Sequence, residues 1–87
     1  MFKKEDENYI YEIVSRNIQK QRKLKGLTQE QLAEKIEYST QFISNIESKK
    51  NHQTMSLGTL WRIALMLDID IALLFKEDDK KISDESK

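Results

Sequence analysis

The sequence predicts an all-α fold, a compact bundle of five short helices. Three observations lead there. The 87-residue chain has no proline and only two glycines, so it lacks the turn-forming residues that a sandwich or barrel requires. Apolar residues recur at helical spacing from Ile10 to Phe75. Helix-starting signals follow one another, with Thr28, Ser39 and Ser56 each placed just before an apolar-periodic segment.

The first helix follows from Ile10, Ile13, Val14, Ile18 and Leu24, with Asn17 and Gln21 on the same stripe. Gly26 is its expected left-handed stop. Arg16, Lys20 and Lys23 share a second face at spacings of four and three. The second helix starts at Thr28, which forms a capping box with Gln31, and Leu27 and Leu32 occupy the positions of a hydrophobic staple. Leu32, Ala33 and Ile36 form its inner face. The third helix repeats the device with Ser39 as cap and Tyr38 and Ile43 as staple, and Phe42, Ile43 and Ile46 face inward. Ser56 caps the fourth, with Met55 and Leu60 as staple. Its residues Leu57, Leu60, Trp61, Ile63, Ala64, Leu65 and Leu67 make it the expected central core helix, with Trp61 inside. Asp70 caps a short fifth helix bearing Ile71, Leu74 and Phe75. The chain divides into an N-terminal extension (1–9), one domain (10–76) and a charged flexible tail (77–87).

Composition narrows the function. There is no cysteine, so disulfides and cysteine-ligated zinc are excluded. No apolar run is long enough to span a bilayer, and the start MFKKEDENY lacks the apolar stretch of a signal peptide. A soluble cytoplasmic protein is expected. His52 stands alone, so no metal site is expected. There is no glycine-rich phosphate loop, Ser44 lacks the setting of a nucleophile, and the carboxylates of the second helix read as solvated partners. The chain is therefore expected not to be an enzyme and to need no cofactor.

Net charge is zero, which alone argues against a nucleic-acid binder. Its distribution argues the other way. Residues 16–26 carry Arg16, Lys20, Arg22, Lys23 and Lys25 with no acid, while the flanking segments are acidic.

The segment 29-QEQLAEKIEYSTQFISNIES-48 then carries the functional reading. Two short helices joined by a tight turn form a helix-turn-helix, and Ala33 supplies the small residue where they cross. The outward face of the third helix is Thr40, Gln41, Ser44, Asn45 and Ser48, all polar and uncharged, in a chain that is 34% charged. Such side chains donate and accept directionally, as reading base edges requires. The competing reading of the same face is ordinary solvation.

The blocks GLTQEQLAEKI, STQFISNIE and SLGTLWRIALMLDIDIALLF, in that order, resemble the phage-repressor type of helix-turn-helix regulator, the xenobiotic-response-element family. The resemblance runs from about Arg16 to Phe75 and implies a five-helix bundle that binds operator DNA as a dimer. Carried over, it places Thr40, Gln41, Ser44 and Asn45 at bases in the major groove. Gln29 would bind a phosphate at a helix N-terminus. Lys49, Lys50 and Asn51 would grip the backbone, with Arg16 and Lys20 reaching flanking phosphates. Ile71, Leu74 and Phe75 are the candidates for a homodimer interface, or else close the core.

The chain departs from the family in three places. Glu37 stands where glycine is usual. The link ESKKNHQTMS is about two residues longer than the usual one, and the domain is not basic overall. The implied function is sequence-specific binding of a near-palindromic double-stranded operator, as a repressor. The alternative is an antitoxin-type module that binds a protein partner and keeps DNA binding for autoregulation.

Overall fold

The computed structural model describes residues 5–48 and 54–77. Among them every element is helical. The α-helices are α1 (Tyr9–Leu24), α2 (Gln29–Ile36), α3 (Thr40–Glu47) and α4 (Leu57–Leu67), followed by a 3-10 helix (Ile71–Phe75). The expected fifth α-helix is thus a single 3-10 segment. Asp70 caps it as anticipated, accepting from the Ala72 N–H, but the Leu73 N–H bonds the Asp70 carbonyl three residues back. With five residues there is too little length to establish the wider α ladder. No helix among the described residues is long and apolar enough to cross a membrane.

The predicted helix starts are present in atomic detail. Thr28 accepts from the Gln31 N–H, and the Gln31 side chain accepts from the Thr28 N–H, which closes the capping box. Ser39 and Ser56 accept from the N–H groups of Phe42 and Thr59. Gly26 takes φ +72° and ends the turn after α1. Tyr38, assigned to a staple with Ile43, makes two further contacts. Its ring stacks on Phe42 at 4.4 Å, and its hydroxyl bonds Thr59 of α4.

The core is Val14 and Ile18 of α1, Leu32, Ala33 and Ile36 of α2, Ile43 and Ile46 of α3, Leu60, Ile63, Ala64 and Leu67 of α4, and Leu74. Two expectations for it fail. Ile10 and Leu24 lie on the α1 stripe yet are exposed. They sit at the two ends of the helix, beyond the reach of the elements packed on its middle. Trp61, expected in the core, is 55% exposed, and Leu57 and Leu65 share its outward face. An 11-residue helix that is apolar nearly all round has two stripes to offer, and only one faces the bundle.

Two polar contacts fix the chain ends of the core. Asn17, buried in α1, donates to the carbonyls of Leu74 (2.9 Å) and Lys76 (2.8 Å) and so holds the 3-10 helix against α1. The Tyr9 hydroxyl donates to Glu77, and this hydrogen bond raises the phenol pKa above its usual 10.0.

Glu37 adopts φ 64°, ψ 41°, the left-handed conformation that glycine favours. The turn is closed by Tyr38 N–H to the Ala33 carbonyl at 2.9 Å. The side chain of Glu37 is 80% exposed and meets Arg62 at 3.5 Å, a solvated pair of little worth. Glu37→Gly removes the left-handed penalty of about 1 kcal/mol and is expected to stabilise the domain by somewhat less, since glycine also loosens the unfolded chain. Urea titration measures this. Destabilisation would mean that the Arg62 contact outweighs the backbone strain.

Candidate DNA interface

The interface is built on the crossing of α2 and α3. Ala33 is 2% exposed, while Leu32, Ile36, Ile43 and Ile46 have no exposure at all. Burying this set on one side of α3 dictates which residues point the other way. Thr40 and Gln41 are exposed, and Ser44 and Asn45 are half-buried one turn on. The four residues expected to read bases therefore lie together on the outer side of α3. The Gln41 amide donates to the Asn45 carbonyl oxygen at 2.9 Å. That bond orients both amides and leaves Gln41 its own carbonyl oxygen and a second N–H. This donor–acceptor pair is the kind that recognises adenine.

The phosphate-facing candidates separate. Gln29 is the first residue of α2, half-buried, where helix amide groups and the helix dipole favour an anion. Its side-chain amide donates to Glu47 at 3.0 Å. Arg16 and Lys20 are exposed on α1. Arg16 pairs with Glu12 at 3.3 Å, one turn earlier on the same helix. The Arg16 side chain is 46% exposed and the Glu12 side chain 19%, so water screens the pair from the Arg16 side. Lys49, Lys50 and Asn51 lie outside the described residues. Glu30, Glu34 and Glu37 are exposed on α2 and its cap.

Sequence reasoning missed what holds this surface in place. Arg22, counted there among the basic residues of 16–26, is buried. Its Nε and Nη2 meet the two oxygens of Glu47 at 2.7 and 2.9 Å, and Nη1 donates to the Leu27 carbonyl at 2.6 Å. The two side chains are 8% and 2% exposed. The planar guanidinium thereby binds the end of α3 and the turn into α2 at once, a geometry that lysine cannot reproduce. Glu47 also takes the Gln29 amide, so one carboxylate links α1, α2 and α3. A signal for this existed in the sequence, since Arg22 continues the buried Val14–Ile18 stripe at spacing four.

Of the dimer candidates, Leu74 has no exposed surface and Ile71 is half-buried against the core. Phe75 is 36% exposed.

Comparison with known proteins bears on the family and the fold. The helix-turn-helix family HTH_3 matches residues 18–74. No curated protein sequence matches the chain. Among solved structures, the chain is similar to the restriction-modification controller protein C.AhdI from Aeromonas hydrophila. The identity is 26% and the TM-score 0.73, over 80% of this chain and 99% of that one. It is also similar to a mutant of the controller protein C.Esp1396I, at 32% identity and TM-score 0.68, over 91% and 94%. A hypothetical transcription factor from Neisseria shares the fold at 20% identity and TM-score 0.75, over 94% and 90%. The chain belongs to the HTH_3 family of DNA-binding helix-turn-helix transcription regulators, of the phage-repressor type.

Proposed function

We propose that the chain is a sequence-specific regulator, a repressor that occludes a promoter by binding a near-palindromic double-stranded operator as a homodimer. One observation carries the specific part of this reading: the α3 face of Thr40, Gln41, Ser44 and Asn45 is polar, uncharged and outward, on a helix whose other side is locked into the core. Charge alone would give affinity without sequence preference, whereas directional amides and hydroxyls give preference. The likeness to two restriction-modification controller proteins supports a regulatory role. In this reading the protein is cytoplasmic, is not an enzyme and uses no cofactor.

Helix α3 enters the major groove with Thr40 and Gln41 at its leading end. Gln29 binds a phosphate with the amide hydrogen that Glu47 does not take. Arg16, Lys20, Lys49, Lys50 and Asn51 contribute the sequence-independent share, so affinity falls steeply with added salt.

Gln41→Ala is expected to cost about 1–3 kcal/mol of discrimination at one base step, with random-duplex binding nearly unchanged. Lys50→Ala is expected to weaken specific and random duplexes alike and to lower the salt slope by about one. Titrations of both variants against operator and scrambled duplexes check this. Equal effects of the two substitutions on both duplexes would remove the base-reading assignment.

A further inference from the structure

We propose that the outer face of α4 is the surface on which a second copy of the chain docks. This rests on the homodimer reading above and assigns its interface. Helix α4 carries two apolar stripes. Leu60, Ile63, Ala64 and Leu67 are buried in the core. Leu57, Trp61 and Leu65, spaced four apart, are 75%, 55% and 52% exposed, and Met66 beside them is 41% exposed. Trp61, Leu65 and Met66 border a groove with Gly58, Lys35, Glu37 and Arg62. Together the four apolar side chains leave on the order of 400 Å² to solvent, a size at which a patch on a monomer is commonly a contact site.

Three features select a second copy as the occupant. The stripe has the same order from either end: leucine, tryptophan, leucine. A two-fold axis through Trp61, perpendicular to α4, therefore sets Leu57 against Leu65 of the other copy and the two indoles side by side. Gly58 lies one turn before Trp61, and a Cβ placed there would meet only the Ser56 hydroxyl, at 3.8 Å. It leaves a notch on the same face for the indole of the other copy. The rim holds charges of both signs, Lys35 and Arg62 against Glu37, so the face complements itself, whereas a strongly acidic or basic partner would meet repulsion somewhere. None of the reading-face residues Thr40, Gln41, Ser44 and Asn45 lines this groove. The area is about half of the ~800 Å² per partner of a standard complex, so the dimer separates on dilution.

The chain has one tryptophan, so its fluorescence reports on this face alone. Dilution followed by sedimentation velocity and by tryptophan emission should give one shared midpoint, with emission shifting to the red as dimers part. Leu65→Glu and Leu57→Lys, both at exposed positions, should each weaken self-association at least tenfold. The double variant should restore it, because an antiparallel pair of α4 helices sets each new lysine against a new glutamate. Leu73→Gln, on the 3-10 helix, should leave it unchanged. Circular dichroism of each variant confirms the fold. A dimer whose emission ignores dilution, a dimer that survives Leu65→Glu, or a protein that stays monomeric at every concentration would overturn the proposal. Duplex selection fails separately: an operator-selecting protein that dimerises elsewhere loses only the α4 assignment, and an α4 dimer that selects no duplex loses only the DNA reading.

Discussion

Glu47→Ala is expected to destabilise the domain by about 3–5 kcal/mol, the cost of leaving a buried charge without its partner. Arg22 is 7% exposed, and its guanidinium makes two hydrogen bonds to Glu47 and one to the Leu27 carbonyl. Without the carboxylate the guanidinium must either stay in a poorly solvated pocket or pull out and open the packing of α1 on α3. At about 4–8 °C per kcal/mol for a domain of this size, the melting temperature should fall by more than ten degrees. The pair is not the best conceivable core, because the bonds it makes are offset by its desolvation. Arg22→Met combined with Glu47→Leu should therefore recover much of the stability lost in the single variant. The recovered protein should still bind DNA poorly. Gln29 would have lost the acceptor that holds its amide at the start of α2. Thermal denaturation and duplex titration of the same three proteins separate the two effects. A single variant as stable as the parent would show that the pair does not join the helices.

Leu74→Ala should cost about 2–5 kcal/mol, as for other large-to-small changes at closed core sites. Leu74 has no exposure and packs in the cluster formed by α1 to α4. Its backbone carbonyl is held by Asn17, so the cavity cannot close easily by moving the 3-10 helix. Phe75→Ala, at a site 36% exposed, should cost well under half as much. Urea denaturation of both variants gives the comparison. If Leu74→Ala instead kept full stability and dissociated the dimer, Leu74 would belong to the interface and not to the core.

The readable parts of the sequence were those set by local chemistry. Thr28, Ser39 and Ser56 announce helix starts because their side chains satisfy amide groups within three residues, a requirement independent of the rest of the fold. Gly26 marks a stop for a similar reason. The α2–α3 crossing was legible because Ala33, Ile36, Ile43 and Ile46 are close in sequence and alternate with polar residues at helical spacing. Glu37 was visible as an irregularity, and its left-handed φ shows the turn keeping its shape at the expense of the residue.

The parts that stayed hidden depend on distant partners. Arg22 and Glu47 are 25 residues apart, so although Arg22 continues the Val14–Ile18 stripe, its spacing does not name the partner that lets its charge be buried. Counting Arg22 with the basic surface overstated that surface. On α4, apolar residues on both sides left the spacing unable to say which stripe faces the bundle. The structure gave the core to Leu60, Ile63 and Leu67 and left Trp61 outside. Ile71, Leu74 and Phe75 fit a 3-10 turn and an α turn equally over so short a span, so the spacing showed a short helix there without its type, which is 3-10. In the interface itself, the grouping of Thr40, Gln41, Ser44 and Asn45 was legible from periodicity, but the Gln41–Asn45 hydrogen bond and the link from Gln29 to Glu47 needed side-chain geometry.

Selection of bound duplexes from a random pool tests the central claim most directly. A reading face made of Thr40, Gln41, Ser44 and Asn45 predicts enrichment of one near-palindromic sequence, with half-sites about one helical turn apart. Repeating the selection with Gln41→Ala should relax the preference at the same step in both half-sites. A pool that emerges with no enriched sequence, or an enriched sequence unchanged by Gln41→Ala, would contradict the assignment of α3 as the reading helix with Gln41 in it.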